Sequence, residues 1–221
     1  MNRPITRQLS SLGCNFAVQE SDAVADPEKT ILMAIDYFWI DKKIFTMLIA
    51  VLKYRISHLI NVKRLHILSK KIDTDKKLIL SVVAAKVGQQ TGDIRFTELA
   101  KKLKKPGEKV TRCPAKYQDN YYLERKGVDR DFKKVGLEIA DFFEEQTEKK
   151  LKTIKKIYLE NDWLRLRALS GPDYRADTLY LLKAGLAKNQ SEVAKWLQCN
   201  KSSVSRIWSS IKNIHELAEI I

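Results

Sequence analysis

The sequence predicts an all-α protein, on three observations. Apolar residues recur at three- and four-residue spacing along most of the chain between Ile31 and Ile211. Capping residues open the apolar stretches, as in Asp26-Pro27-Glu28, where Asp26 suits an N-cap and Pro27 a first helical turn. Glycines and prolines close them, at Gly88, at Pro106-Gly107, at Gly171-Pro172 and at Gly185.

Residues 1–27 are polar and mixed and read as a flexible N-terminal arm. From there Ile31, Ile35, Phe38 and Trp39 keep helical spacing, as do Ile44, Leu48, Val51, Leu52, Ile56 and Leu59, with Asp41-Lys42-Lys43 marking a break between two helices. A third helix fits Val62 to Ile72. A fourth fits Asp75 to Val87, opened by Asp73 or Thr74 and closed by Gly88. Arg95 to Leu103 is a short amphipathic helix that Pro106-Gly107 prevents from continuing. Pro106 to Asp131 reads as irregular. Its Tyr117, Tyr121 and Tyr122 stand among Lys116, Arg125, Lys126 and Arg130, a pattern that suits base stacking but equally an exposed connection held by a few tyrosines. Helices are expected again over Phe132 to Phe143, Glu144 to Tyr158, Asn161 to Leu169 and Arg175 to Leu182.

Composition narrows the function classes. The 221 residues carry 41 Lys and Arg against 27 Asp and Glu, a net charge of +14, and 44% of them are hydrophobic. That supports a packed core and favours a polyanionic partner. Cys14, Cys113 and Cys199 are far apart and odd in number, so neither a zinc knuckle nor a disulfide framework is indicated. Ile44 to Leu52, the longest uncharged apolar run between Ile31 and Ile60, is too short to span a bilayer, and the N-terminus lacks the apolar core of a signal peptide. A soluble cytoplasmic protein is expected.

Chemistry-bearing residues are sparse, and no catalytic residue, metal site or cofactor is expected. His58, His66 and His215 have no metal-ligand spacing, and His58 and His66 fit as core or boundary residues. No phosphate-cradling or nucleophile-elbow glycine motif is present. Asp141, Glu144, Glu145 and Glu148 have helical spacing, but the neighbouring Lys149, Lys150 and Lys152 make charge pairing the simpler reading.

The specific signal lies between Gln190 and Ile211. Val193, Ala194 and Leu197 form one face of a first short helix, and Val204, Ile207, Trp208 and Ile211 one face of a second. Gln198-Cys199-Asn200 lies between, with Asn200 or Lys201-Ser202 placed to cap the second helix. This resembles the helix-turn-helix of transcription regulators. That family has Gln at the first position, Ala at the fifth, Gly at the ninth and Val or Ile at the fifteenth. Gln190, Ala194 and Val204 match, whereas Gln198 stands where Gly is usual; this weakens the turn geometry without excluding it, since Gln can adopt a left-handed conformation at a cost. The Arg167-Ala-Leu-Ser-Gly171 step and the following Arg175 to Leu179 resemble the first helix of winged-helix regulators, so the likeness covers residues 163–212. After Ile211 too little chain remains for a full wing.

The resemblance implies double-stranded DNA as partner, binding as a homodimer, and transcriptional regulation as function. Its candidate DNA-contacting residues here are Gln190, Ser191, Lys201, Ser202, Ser203, Ser205, Arg206, Ser209 and Lys212, with Lys201 and Arg206 leading. The expected layout is a helical domain over 28–160, for dimerisation or effector sensing, followed by a three-helix helix-turn-helix domain over 163–221 with little or no wing. The alternative is a protein-interaction adaptor, of antitoxin-like kind, that uses the same helices as a docking surface.

Overall fold

The computed structural model describes residues 4–17, 25–112, 120–141 and 145–218. These residues form thirteen α-helices and no strand, so the protein is all-α. In chain order the helices are α1 (Pro4–Ser11), α2 (Pro27–Ile35), α3 (Lys42–Val51), α4 (Val62–Ser69), α5 (Thr74–Thr91), α6 (Ile94–Leu103), α7 (Asn120–Lys126) and α8 (Arg130–Lys133). They continue with α9 (Ile154–Glu160), α10 (Asp162–Ser170), α11 (Tyr174–Lys183), α12 (Gln190–Leu197) and α13 (Lys201–Ala218). None is long and apolar enough to cross a membrane among the described residues.

Helix starts follow the capping signals. Asp26 accepts a hydrogen bond from the backbone N–H of Lys29 at 3.1 Å, Asp41 caps α3, and Asp73 accepts from Lys76 at 2.9 Å. The stop expected at Gly88 falls instead at Gly92, whose φ of +70° supplies the left-handed cap. Gly88 serves another purpose. A Cβ there would stand 2.6 Å from Thr97 Oγ1, so its lack of a side chain lets α6 pack closely on α5.

Four other expectations are corrected. The N-terminal segment is not a loose arm over its described part: α1 sends Ile5, Leu9 and the following Leu12 into the core, all at most 1% exposed. Its end is tied to a distant part of the chain, since Asn15 N–H donates to Lys150 at 2.9 Å and Lys152 N–H to Gly13 at 2.7 Å. Of the helix expected over Phe132 to Phe143 only Phe132 and Lys133 are helical, as the end of the four-residue α8. Gly136, at φ +83°, turns the chain out, Leu137 N–H closes on Phe132 O, and Leu137 and Ile139 then reach the core from a segment without helix. Glu145–Lys150 is a 3-10 turn rather than part of a helix reaching Tyr158, and Glu148 pairs with Arg55 at 2.8 Å rather than with a lysine beside it. Finally, Asn120–Lys126 is helical within the stretch read as irregular. Tyr121 and Tyr122 are exposed on it, while Tyr117, Lys116 and Cys113 lie outside the described residues.

Two apolar clusters result. The larger runs from α1 to α9 around Phe38, which stacks on Phe132 at 5.4 Å and meets Phe45 edge-on at 5.0 Å. The smaller gathers Trp163, Tyr180, Leu181, Ala187, Val193, Leu197 and Val204. No linker separates them at residue 160. Buried Asn161 closes α9, where its N–H donates to Ile157 O, and opens α10, where its side chain accepts from Leu164 N–H. Helix α10 then serves both sides, with Leu164 in the first cluster and Trp163 in the second.

Candidate nucleic-acid interface

The helices that carry the sequence signal are defined by local hydrogen bonds. Asp173 caps α11, and Gly185 ends it at φ +65°. Asn189 caps α12 by accepting from Glu192 N–H at 3.0 Å, and the Glu192 carboxylate reaches back to Lys188 N–H at 2.7 Å. Helix α12 ends at Gln198, with φ 54° and ψ 45°, the one described residue other than glycine with positive φ. This is a left-handed conformation, held here at a cost of about 1 kcal/mol relative to glycine. The N–H groups of Gln198 and Cys199 both close on Ala194 O. Asn200 O accepts from Ser203 N–H at 3.0 Å and so begins α13.

Along these helices the apolar positions face inward. Val193, Leu197, Val204 and Ile211 are buried, and Ile207 and Trp208 are half-buried. Trp163 lies beneath them, stacked on Tyr180 at 4.5 Å. The outward positions are polar. Ser191, Lys201, Ser202, Arg206 and Ser209 are exposed, and Gln190, Ser203 and Ser205 are half-buried. Lys212 belongs to α13, but its side chain lies outside the described residues. Lys201, Ser205 and Ser209 follow one another at four-residue steps, with Arg206 beside them, so they line one stripe of the helix. Lys201 and Arg206 have no ion-pair partner among the described residues. No strand follows Ile211 among the described residues. Helix α13 runs on to Ala218 where a wing hairpin would begin.

Behind this face lies a buried ionic network that attaches α10–α12 to the rest of the molecule. Arg167 and Arg64 are at most 1% exposed and Glu28, between them, is fully buried. Arg167 donates to Glu28 Oε1 at 2.6 Å, to Leu59 O at 3.0 Å and to Asp177 Oδ1 at 2.7 Å. Arg64 donates to Glu28 Oε2 at 2.6 Å, to Asp26 Oδ1 at 2.7 Å and to Leu197 O, the last carbonyl of α12, at 3.3 Å. Trp163 Nε1–H and Asn61 Nδ2–H complete the shell of Asp177 at 2.6 and 3.2 Å. Two guanidiniums thus face three carboxylates, and their donors and acceptors interlock as buried charges require.

Titration within the network is divided. Burial works against ionisation of Asp26, but hydrogen bonds and charge from Arg64, with Lys29, outweigh it and hold that carboxyl below its ordinary value. Burial raises Asp177 above its ordinary value against the opposing Arg167 charge, with Glu28 adding to the rise. At the edge of the network burial, with Cys199 nearby, pushes the Tyr174 hydroxyl up to about 12. Its oxygen has no hydrogen-bond partner among the described residues.

Eight of the nine expected contact residues are thus exposed or half-buried on α12 and α13. The residues that fix this surface in place carry no local sequence signal as a group: Glu28, Arg64, Arg167 and Asp177 are spread over about 150 residues. The retrievable hints are Arg64 and Arg167, each three or four residues from apolar positions of its own helix, Leu68 for Arg64 and Trp163 and Leu164 for Arg167. His58, expected at a core or boundary position, is exposed. Among the described residues no group of three or more His, Cys, Asp and Glu is arranged to hold a metal ion. Comparison with family models, curated proteins and solved structures yields no match.

Proposed function

We propose that this chain binds double-stranded DNA, with α13 entering the major groove, and that it acts in transcriptional regulation. The observation that carries the reading is Gln198. It holds the strained left-handed geometry of a helix-turn-helix turn without being glycine, while the apolar positions on either side are buried and the basic and serine-rich positions are exposed. Arg206 and Lys201 would be the leading contacts, able to bind guanine edges or phosphates, with Ser202 and Ser209 letting the backbone approach. The positive end of the α13 dipole adds to Lys201 at the helix start. A net charge of +14 favours the same partner.

In this reading two copies would engage half-sites one helical turn apart. Leu159 and Leu169, 69% and 80% exposed on α9 and α10, are apolar positions available for pairing. Sedimentation of the free protein and of its DNA complex tests that point. One bound copy per duplex would exclude the dimer without touching the DNA reading.

A titration of mixed-sequence duplex DNA over a salt series tests the main proposal. Several phosphate contacts make log K fall linearly with log salt, by about 0.9 per contact. Absence of binding at low salt would favour the protein-interaction alternative.

A further inference from the structure

Helix α4 has two unlike faces. Its inner face clamps the turn: Arg64 donates to the last carbonyl of α12, and Leu65 and Leu68 are buried. Its outer face is cationic. Lys63, His66 and Lys70 follow at three- and four-residue steps and so share one stripe, and Lys71 adjoins them. Residues 61–72 contain no Asp or Glu. Lys63, Lys70 and Lys71 are exposed and without a carboxylate partner among the described residues. The Lys71 ammonium donates to Gln198 Oε1 at 2.6 Å, which brings this stripe up to the turn three residues before Lys201. Burial and then the charges of Lys70 and of Lys102 on α6 hold the His66 imidazole below its ordinary value.

We propose that the outer face of α4 and the turn that follows it form a second DNA-contacting element, whose Lys63, Lys70 and Lys71 bind the phosphates flanking the site engaged by α13. This rests on the DNA reading above and adds to it a role for the body of the protein. A run of like charges without compensating acids repels itself in the free protein and is relieved by a polyanion. The buried network makes the placement usable. It fixes α4 against α12, so the lysine stripe and the start of α13 meet one duplex as a single preformed surface. Lysines at such positions contribute affinity and register but do not discriminate between bases.

The test uses the full chain and two probes: a mixed-sequence duplex, and a duplex selected by the wild-type protein from a random pool. Lys63→Gln with Lys70→Gln leaves every bond to α12 in place, and a thermal melt matching wild type establishes that the fold is kept. Lys71→Gln is measured separately because it also removes the bond to Gln198. The expected result is a salt slope smaller by about 0.9 for each phosphate that is no longer neutralised, with both duplexes weakened by the same factor. A slope and affinity equal to wild type overturn the role of α4, while salt-steep wild-type binding that Arg206→Ala reduces leaves the DNA reading intact. A changed ratio between the two duplexes overturns the phosphate role too, because it assigns base readout to α4. No wild-type binding to either duplex at low salt removes both proposals together.

Discussion

Replacing Glu28 by alanine should be among the most damaging single changes in the molecule. Four hydrogen bonds end on its carboxylate, from Arg64, from both terminal nitrogens of Arg167 and from Asn61 N–H. Each guanidinium keeps one other carboxylate, Asp26 for Arg64 and Asp177 for Arg167, so neither is left wholly bare. Both do lose a buried anion at hydrogen-bonding distance, and breaking such a pair by removing one partner costs about 3–5 kcal/mol. For a chain of this length that corresponds to a melting temperature lower by about 6–20 °C. Glu28→Gln keeps the shape and some acceptors, so it should cost roughly half as much. Urea denaturation followed by circular dichroism gives the loss directly. Hydrogen exchange locates it: amides of α10 to α12 should lose protection before those of α5 and α6, because the network is what attaches the former to the body. A loss under about 1 kcal/mol for Glu28→Ala, with uniform exchange, would refute the claim that this network joins the two apolar clusters.

Two further outcomes follow from the same structure. Asp26 is held below its ordinary value when folded, so it contributes stability that is present above the unfolded value and lost as pH falls through the lowered one. The stability gap between wild type and Asp26→Asn should therefore be wide near about pH 7 and narrow at about pH 3, which paired urea melts would reveal; a constant gap contradicts the assignment. At Gln198, valine should destabilise by about 1–2 kcal/mol because a β-branched side chain resists positive φ, whereas glycine should stay within about 1 kcal/mol of wild type. Equal stability of the valine and glycine variants would mean that the turn is not left-handed.

The surface around α13 is legible in the sequence because it depends on local rules. Apolar spacing places Val193, Leu197, Val204 and Ile211 inside, while at Gln198 the sequence only allows the left-handed conformation that the structure contains. The capping signals at Asp26, Asp41 and Asp73 follow from short-range chemistry in the same way. What cannot be read locally depends on distant partners. Ile5 and Leu9 look unremarkable in a polar segment until residues 150–152 and the core receive them. Phe132 to Phe143 has helical spacing, yet the helix ends at Lys133, Gly136 turns the chain, and a segment without helix buries Leu137 and Ile139 equally well. Gly88 looks like a helix stop but answers to Thr97 across the packed faces of α5 and α6. The network of Glu28, Arg64, Arg167 and Asp177 has no sequence pattern at all, because its members come from four separate helices.

That α13 is a DNA-reading helix is tested most directly by comparing wild type with Lys201→Ala and Arg206→Ala on a duplex selected by the wild type. Both side chains are exposed and unpaired among the described residues, so the fold should be unaffected. Arg206→Ala is expected to cost about 1–3 kcal/mol of binding and to relax sequence preference. Undiminished affinity and preference in both variants, with the protein folded, would contradict a reading role for α13.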